Sequence, residues 1–377
     1  MSDENSSPEP AVPEAQYEAE GLPEDFQAPS PGGWEDYPLD QLAIRDERRT
    51  AEDVVRRINN NRFVLDPDFQ RDFVWSPEKQ SRLIESILMR IPLPVFYVAE
   101  DDNGRLIVVD GLQRLTTLKR FLSNELQLKL PDRRELDKKK FADLEIRLQN
   151  RIEDSQLLFY IIDHGVPERA RLDIFERVNG GEVLTRQQMR NAIFNGPATA
   201  FLREESTSAL FLEVTGGSLS AKKMQDREFV NRFCSFTLFP SEQYRGDMDA
   251  WLALSLKRMN DLDADALDDL HQRFQRALRN NRAVFGKHAF RKHRQMDQPR
   301  SVINASLFDV MSTQLARIDE DLVSANVEKL RLAFYQLMED SQFIHAITYG
   351  PNTPKEVRKR FELGEQMFEE VFGDTQS

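Results

Sequence analysis

The sequence predicts an α+β protein: a mixed α/β segment over residues 39–196, followed by an all-helical segment over residues 197–377. Three observations carry this. Short apolar runs alternate with amphipathic helical spacing as far as about residue 195. Beyond Pro197 the strand signals fade and helical periodicity takes over. The 377 residues, 40% hydrophobic and 31% charged, suffice for two domains with their own cores.

The chain opens on an acidic tail, residues 1–38. Residues 1–44 hold 11 of the 64 acidic side chains and no Lys or Arg, and seven of the 18 prolines fall at or before Pro38. Beyond them 51 basic side chains face 53 acidic ones, so the net charge of −13 sits mostly in the tail. Few large apolar residues accompany that charge, and the segment reads as disordered. It lacks a basic region followed by an apolar stretch, so it is no signal peptide. No run approaches the roughly 18 apolar residues of a membrane helix. The single Cys234 excludes an intramolecular disulfide and a cysteine-rich zinc site, and a cytoplasmic location is expected.

Within residues 39–196, Phe63-Val64-Leu65 leads into a loop carrying Phe69-Gln70-Arg71. Ser76-Pro77-Glu78 is a helix start, with a hydroxyl cap, proline first and an acid in the first turn. Leu83, Ile84, Ile87 and Leu88 line one face of that helix, which stops before Ile91-Pro92-Leu93-Pro94. Strands follow over 95–98, 106–110 and 157–162, and a helix over about 168–178 that Asn179-Gly180-Gly181 ends. Thr185-Arg186-Gln187-Gln188 is a capping-box start. Further helices are expected over 226–238, 248–260, 264–281, 306–323, 327–340 and 354–371.

The most informative stretch is Val109-Asp110-Gly111-Leu112-Gln113-Arg114-Leu115-Thr116-Thr117. An apolar strand passes through Gly111 straight into a helix, which aims backbone N–H groups and the helix dipole at one spot. Gly111 lets a ligand approach, Arg114 offers a donor fork suited to phosphate, and Thr116 and Thr117 add hydroxyls. Asp110 has two readings, a cation ligand or a helix N-cap. Gln70-Arg71 and Gln113-Arg114, each beside a strand end, suggest a shared polar site. Asn179, Thr185, Arg190 and Asn191 are either its rim or plain turn and cap chemistry.

Farther on, Arg273, Arg276, Arg279, Arg282, Lys287, Arg291, Lys292, Arg294 and Arg300 form a basic stripe. Arg276, Arg279, Lys287, Arg291, Lys292 and Arg294 are its candidate nucleic-acid contacts. The competing reading is a solvated face that pairs with acids such as those of residues 261–269, or with the tail. His288 and His293, five apart, do not share a helix face. No His/Cys cluster has zinc-ligand spacing.

Phe69-Gln70-Arg71 with Trp75, Leu83-Ile84-Glu85-Ser86-Ile87, Ile91-Pro92, the stretch from Val109 to Thr117, and Phe175-Glu176-Arg177-Val178-Asn179-Gly180-Gly181-Glu182-Val183-Leu184-Thr185 together resemble the GmrSD N-terminal domain family. Asp226-Arg227-Glu228-Phe229-Val230, Tyr244-Arg245-Gly246-Asp247-Met248-Asp249 and Ile303-Asn304-Ala305-Ser306-Leu307-Phe308-Asp309 extend the likeness to about residues 40–365, as in stand-alone members. More distantly the pattern is similar to the ParB/sulfiredoxin superfamily, which implies a ParB-like N-terminal domain.

The resemblance implies a nucleotide-binding, often nucleotide-hydrolysing, domain of bacterial defence against phage DNA. In the family the central motif is usually Asp-Gly-Gln-Gln-Arg, and Leu112 stands here in place of the first Gln. The expected roles follow residue by residue. Gly111, Arg114, Thr116, Thr117, Arg71 and Asn179 bind a nucleoside triphosphate, and Asp110 with Glu176 holds Mg²⁺. Asp110, Gln113 and Gln70 are the catalytic candidates, the glutamines orienting a water. Expected partners are the nucleotide, DNA, a nuclease or defence protein in trans and a second copy of the chain, with no membrane. His164, His271, His288, His293 and His345 have no nuclease-like context, so DNA cleavage by this chain alone is not expected. The alternative is a non-catalytic, nucleotide-gated or DNA-binding module that recruits a separate nuclease.

Overall fold

The computed structural model describes residues 19–20, 44–65, 75–101, 103–166, 170–171, 174 and 185–373. The chain divides into two compact units, residues 26–195 and residues 196–377 with 1–25. The first described strand, β1 (Ala19–Glu20), belongs to the second of these. Most of the expected helix over 168–178, its Asn179-Gly180-Gly181 stop, and Gln70, Arg71 and Glu176 lie outside the described residues.

The N-terminal unit runs β2 (Ile44–Thr50), α1 (Ala51–Asn59), β3 (Phe63–Val64), α2 (Pro77–Leu88), β4 (Phe96–Glu100), β5 (Leu106–Asp110), α3 (Leu112–Leu122), α4 (Ile146–Glu153), β6 (Gln156–Ile162) and α5 (Arg186–Ile193). Among the described residues its five strands form one sheet in the order β2-β6-β4-β5-β3. β2 is antiparallel to β6 and β4 to β5, while β4 with β6 and β3 with β5 are parallel. The sheet is therefore mixed, as expected for this segment.

Local chemistry sets the helix starts. Thr50 accepts from the Asp53 N–H at 3.2 Å, and Ser76 from Lys79 at 3.3 Å with Pro77 first in the helix. At α5, Thr185 and Gln188 exchange the two hydrogen bonds of a capping box, at 3.2 and 2.7 Å. Phe159 is the hub of the core, with ring centroids 5.1 Å from Phe96 and 5.4 Å from Phe63. Val54, Ile58, Ile84, Leu115, Leu118 and Phe121 close over it from α1, α2 and α3.

β2 was not among the expected strands, because its sequence, Ile-Arg-Asp-Glu-Arg-Arg-Thr, has no apolar alternation. It is an edge strand, where charge is tolerated and blunts pairing with other chains.

The second unit is helical apart from β1 and β7 (Ile303–Asn304), which pair in parallel. Its helices are α6 (Pro197–Ser206), α7 (Ala209–Thr215), α8 (Gln225–Leu238), α9 (Met248–Asn260), α10 (Ala264–Phe285), α11 (Ala305–Leu315), α12 (Glu320–Ala325), α13 (Val327–Leu337), α14 (Ser341–Thr348) and α15 (Pro354–Phe372). Two residues of the acidic tail are thus ordered by pairing, and Glu20 also binds Lys292 at 2.5 Å.

The expected helix over 306–323 is broken into α11 and α12. Asn280 donates to the Leu315 and Ile318 carbonyls at 2.8 and 2.9 Å, which ties off the end of α11 from another helix. Asp319 then caps α12. No helix among the described residues is long and apolar enough to cross a membrane.

His288 and His293 do come together, because the chain turns between them after α10. Their rings stack at 4.7 Å, and both are buried. His293 lies among Phe285, Phe334 and Tyr335, near His288, Arg291 and Arg331, while Lys287, Arg291 and Arg300 act on His288. Burial pulls its pKa from 6.5 down to about 4, against the hydrogen bond to the Arg291 carbonyl. Because the folded pKa is depressed, the unfolded chain takes the proton first. Stability is therefore intact above pH 6.5 and falls as pH drops from 6.5 through 4. The loss from this group reaches about 3 kcal/mol. Denaturant unfolding across that range measures it, and His293→Phe flattens the limb while costing about 1 kcal/mol everywhere for the lost hydrogen bond.

Candidate functional site

The junction between β5 and α3 is built as the sequence implied, with one reassignment. Gly111, not Asp110, is the residue at the helix start, with φ +100°, and no side chain caps α3. Asp110 remains the last residue of β5, beside a register shift between Tyr97 and Val98 in the β4–β5 pairing. A bulge of this kind re-aims the neighbouring side chain. The N-cap reading of Asp110 is thereby set aside. Its carboxylate, 37% exposed, instead accepts from Arg114 Nη2 at 2.7 Å.

Arg114 is turned inward, not toward an approaching ligand. It is 9% exposed and lies over the Phe96 ring, 4.3 Å from the centroid. Nη1 donates to the Pro94 carbonyl, and Nη2 to the Val95 carbonyl at 3.2 Å as well as to Asp110. Burial lowers its pKa from the ordinary arginine value, and the Asp110 carboxylate opposes that. The guanidinium thus clamps the entry to β4 onto the end of β5. It also fixes the orientation of the Asp110 carboxylate.

Thr117 is likewise occupied. It is fully buried, and its hydroxyl donates to the Gln113 carbonyl at 2.7 Å within α3. Thr116 and Gln113 are half-buried. On another side of β5, α5 packs a buried polar network that the sequence only half revealed. Arg190 donates to Gln187 Oε1 through Nε and Nη2 at 3.0 and 2.8 Å, and Gln187 donates to Asn191 at 2.8 Å. Arg190 and Asn191 were flagged from their position after Thr185, whereas Gln187 was not. Gln70, Arg71, Glu176 and Asn179 lie outside the described residues.

Among the described residues one group of acids and histidine is close enough to hold a cation: Glu100, Asp163 and His164. Arg45 already occupies it, with Nη2 on Glu100 and Nη1 on Asp163, both at 2.9 Å. The guanidinium holds the Asp163 carboxyl below its usual range, against the effect of burial. A cation there would have to displace a bidentate arginine, so the cluster is an ion-pair network. For Mg²⁺ beside Asp110 the residues present fit in a limited sense, since that ion keeps most of its waters and needs only one or two carboxylates.

The basic stripe of the helical unit is largely partnered by the chain's own groups, mostly in ion pairs at the surface. Arg291 is 1% exposed and binds the Ser301, Ala289 and Thr215 carbonyls and the Ser218 hydroxyl, so it has no surface to offer DNA. Arg273 pairs with Asp269, Arg279 with Glu320 and Arg282 with Glu213, each at 2.8 Å. Arg276 binds the Ala316 carbonyl and Arg294 the Met338 carbonyl. Lys292 binds Glu20 of the acidic tail, and Lys287 stands exposed. Arg273 with Asp269, and Lys292 with Glu20, pair as the competing reading of the stripe expected.

Two units define the class: one with a mixed sheet whose Asp-Gly strand end opens into an uncapped helix, and a helical one. Residues 51–195 match the family described as GmrSD restriction endonuclease, N-terminal domain. That match, over 145 of the 377 residues, makes this segment similar to the N-terminal domain of a restriction endonuclease, which suggests a role in a restriction-type defence system. The match ends at residue 195, whereas the resemblance read from the motifs continued into the helical unit. Neither a curated protein nor a solved structure matches the chain.

Proposed function

We propose that the N-terminal unit binds a nucleoside triphosphate with Mg²⁺ at the β5–α3 junction, as the nucleotide-responsive part of a restriction-type system acting on or sensing DNA. The observation that carries this reading is the uncapped start of α3, an 11-residue helix, beside a part-exposed Asp110 that Arg114 holds in one orientation. Backbone amides and the helix dipole there suit phosphate, and the fixed carboxylate suits a hydrated cation. Gln113, in the first turn of α3, is the candidate to orient water, and the family resemblance adds Gln70, Arg71, Glu176 and Asn179 as further contributors. The bound cation would neutralise charge on the phosphates; the chain's own residues position and orient them.

A second reading, binding without hydrolysis and recruitment of a nuclease in trans, is favoured by Leu112. That side chain packs against the hydrophobic core, where the family motif has an amide. Calorimetry and phosphate release with each of the four nucleoside triphosphates and Mg²⁺, with and without DNA, separate the readings. Asp110→Asn is expected to weaken Mg²⁺-dependent binding about tenfold, a loss of one carboxylate contact. Leu112→Gln is expected to raise turnover if the missing amide is what limits it. Absence of binding by every nucleotide would remove the proposal, and binding with no turnover in either protein would leave the recruitment reading.

A further inference from the structure

We propose that the cleft between α14 and α15 binds the sugar–phosphate backbone of a single-stranded nucleic acid. It lies in the helical unit and does not use the nucleotide site. Its volume is about 1070 Å³, room for more than one nucleotide, and its lining includes Gln342, His345, Thr353, Lys355, Arg358 and Lys359. Lys355, Arg358 and Lys359 are spaced three and four apart, so they share one face of the first turns of α15.

The charge balance at this cleft leaves a cation to spare. Glu356 is held by His345 at 3.4 Å and Lys355 at 3.7 Å, and Glu362 by Lys359 at 3.3 Å. Asp340 is turned onto the amides of Gln342 and Phe343, capping α14. Arg358 is exposed and has no ion-pair or hydrogen-bond partner among the described residues. It stands near the positive end of the 19-residue α15. By contrast, most of the stripe over 273–300 already has a partner within the chain.

An aromatic platform closes α14, next to His345 of the cleft lining. Tyr349 is 64% exposed, and its ring lies 5.4 Å from that of His345. An exposed aromatic against one residue of a cleft that also carries an unpaired cation suits single strands, because an unpaired base can stack while its phosphate meets the cation. A duplex keeps its bases covered, so the platform selects the strand.

The rim of the cleft is fixed from beneath. Tyr244 donates to the Asn352 carbonyl at 2.7 Å and the buried Arg360 to the Pro351 carbonyl, which pins the turn before α15. A cleft held in place loses little freedom when it binds.

The test is fluorescence anisotropy of a short labelled oligothymidine on the full chain, with a duplex of the same length and inorganic phosphate as competitors. Tyr349→Ala is expected to weaken strand binding about tenfold. Arg358→Glu is expected to lower the salt dependence by about one phosphate contact or more. Strand affinity indifferent to both substitutions overturns the proposal. So does a duplex that binds equally well, or inorganic phosphate that displaces the strand at equal concentration of phosphate groups.

Discussion

Replacing Asp309 by Asn lowers the unfolding free energy of the helical unit by about 3–5 kcal/mol, the scale for breaking a buried ion pair from one side. Asp309 is fully buried on α11 and serves two fully buried arginines from other helices. Arg232 of α8 makes a fork, Nε to Oδ1 at 2.8 Å and Nη2 to Oδ2 at 2.6 Å, while Arg360 of α15 reaches Oδ2 at 2.8 Å. Burial pulls Arg232 toward a lower pKa and Asp309 outweighs it; at Arg360 burial wins over the shared carboxylate. The amide keeps the shape of the carboxylate but loses the charge and turns an N–H₂ toward one of the guanidiniums. Two desolvated cations then face each other without the carboxylate they share, with Glu228 left as the nearby acid acting on Arg232, which is the expensive state. The midpoint of urea unfolding, read by far-ultraviolet circular dichroism, measures the effect. A change under about 1 kcal/mol would mean that water reaches the triad.

That triad shows where sequence reading reaches and where it stops. The segments ending in Asp309 and containing Tyr244 stood out as motifs, yet nothing local says that they meet Arg232 and Arg360, residues separated from Asp309 by 77 and 51 positions. Local signals were legible: the Ser76 and Thr185 caps, the strand ending at Asp110 and the left-handed Gly111 all depend on neighbours within four residues. The same range failed at Arg114. Its spacing from Asp110 permits an ion pair, but the Pro94 and Val95 carbonyls that draw it inward come from the segment before β4. Arg291 looked like part of a basic surface because its sequence neighbours are basic. Its four acceptors lie around Thr215, Ala289 and Ser301, and they pull it into the core.

Gly111→Ala is expected to cost about 2–5 kcal/mol, the sum of backbone strain and overpacking. At φ +100° any side chain is strained. In addition a Cβ there would press well inside van der Waals contact of Phe96 Cδ1 and come within 2.9 Å of Cε1. Phe96 has nowhere to go, being fully buried, stacked on Phe159 and covered by the Arg114 guanidinium. Gly111 is therefore required by packing before any ligand is considered, and the same residue cannot by itself argue for a phosphate. Thermal unfolding without nucleotide decides the matter. A large drop in Tm, partly recovered by adding Phe96→Leu, confirms the packing account. An unchanged Tm together with lost nucleotide binding would show instead that the bare backbone at Gly111 is kept for the ligand.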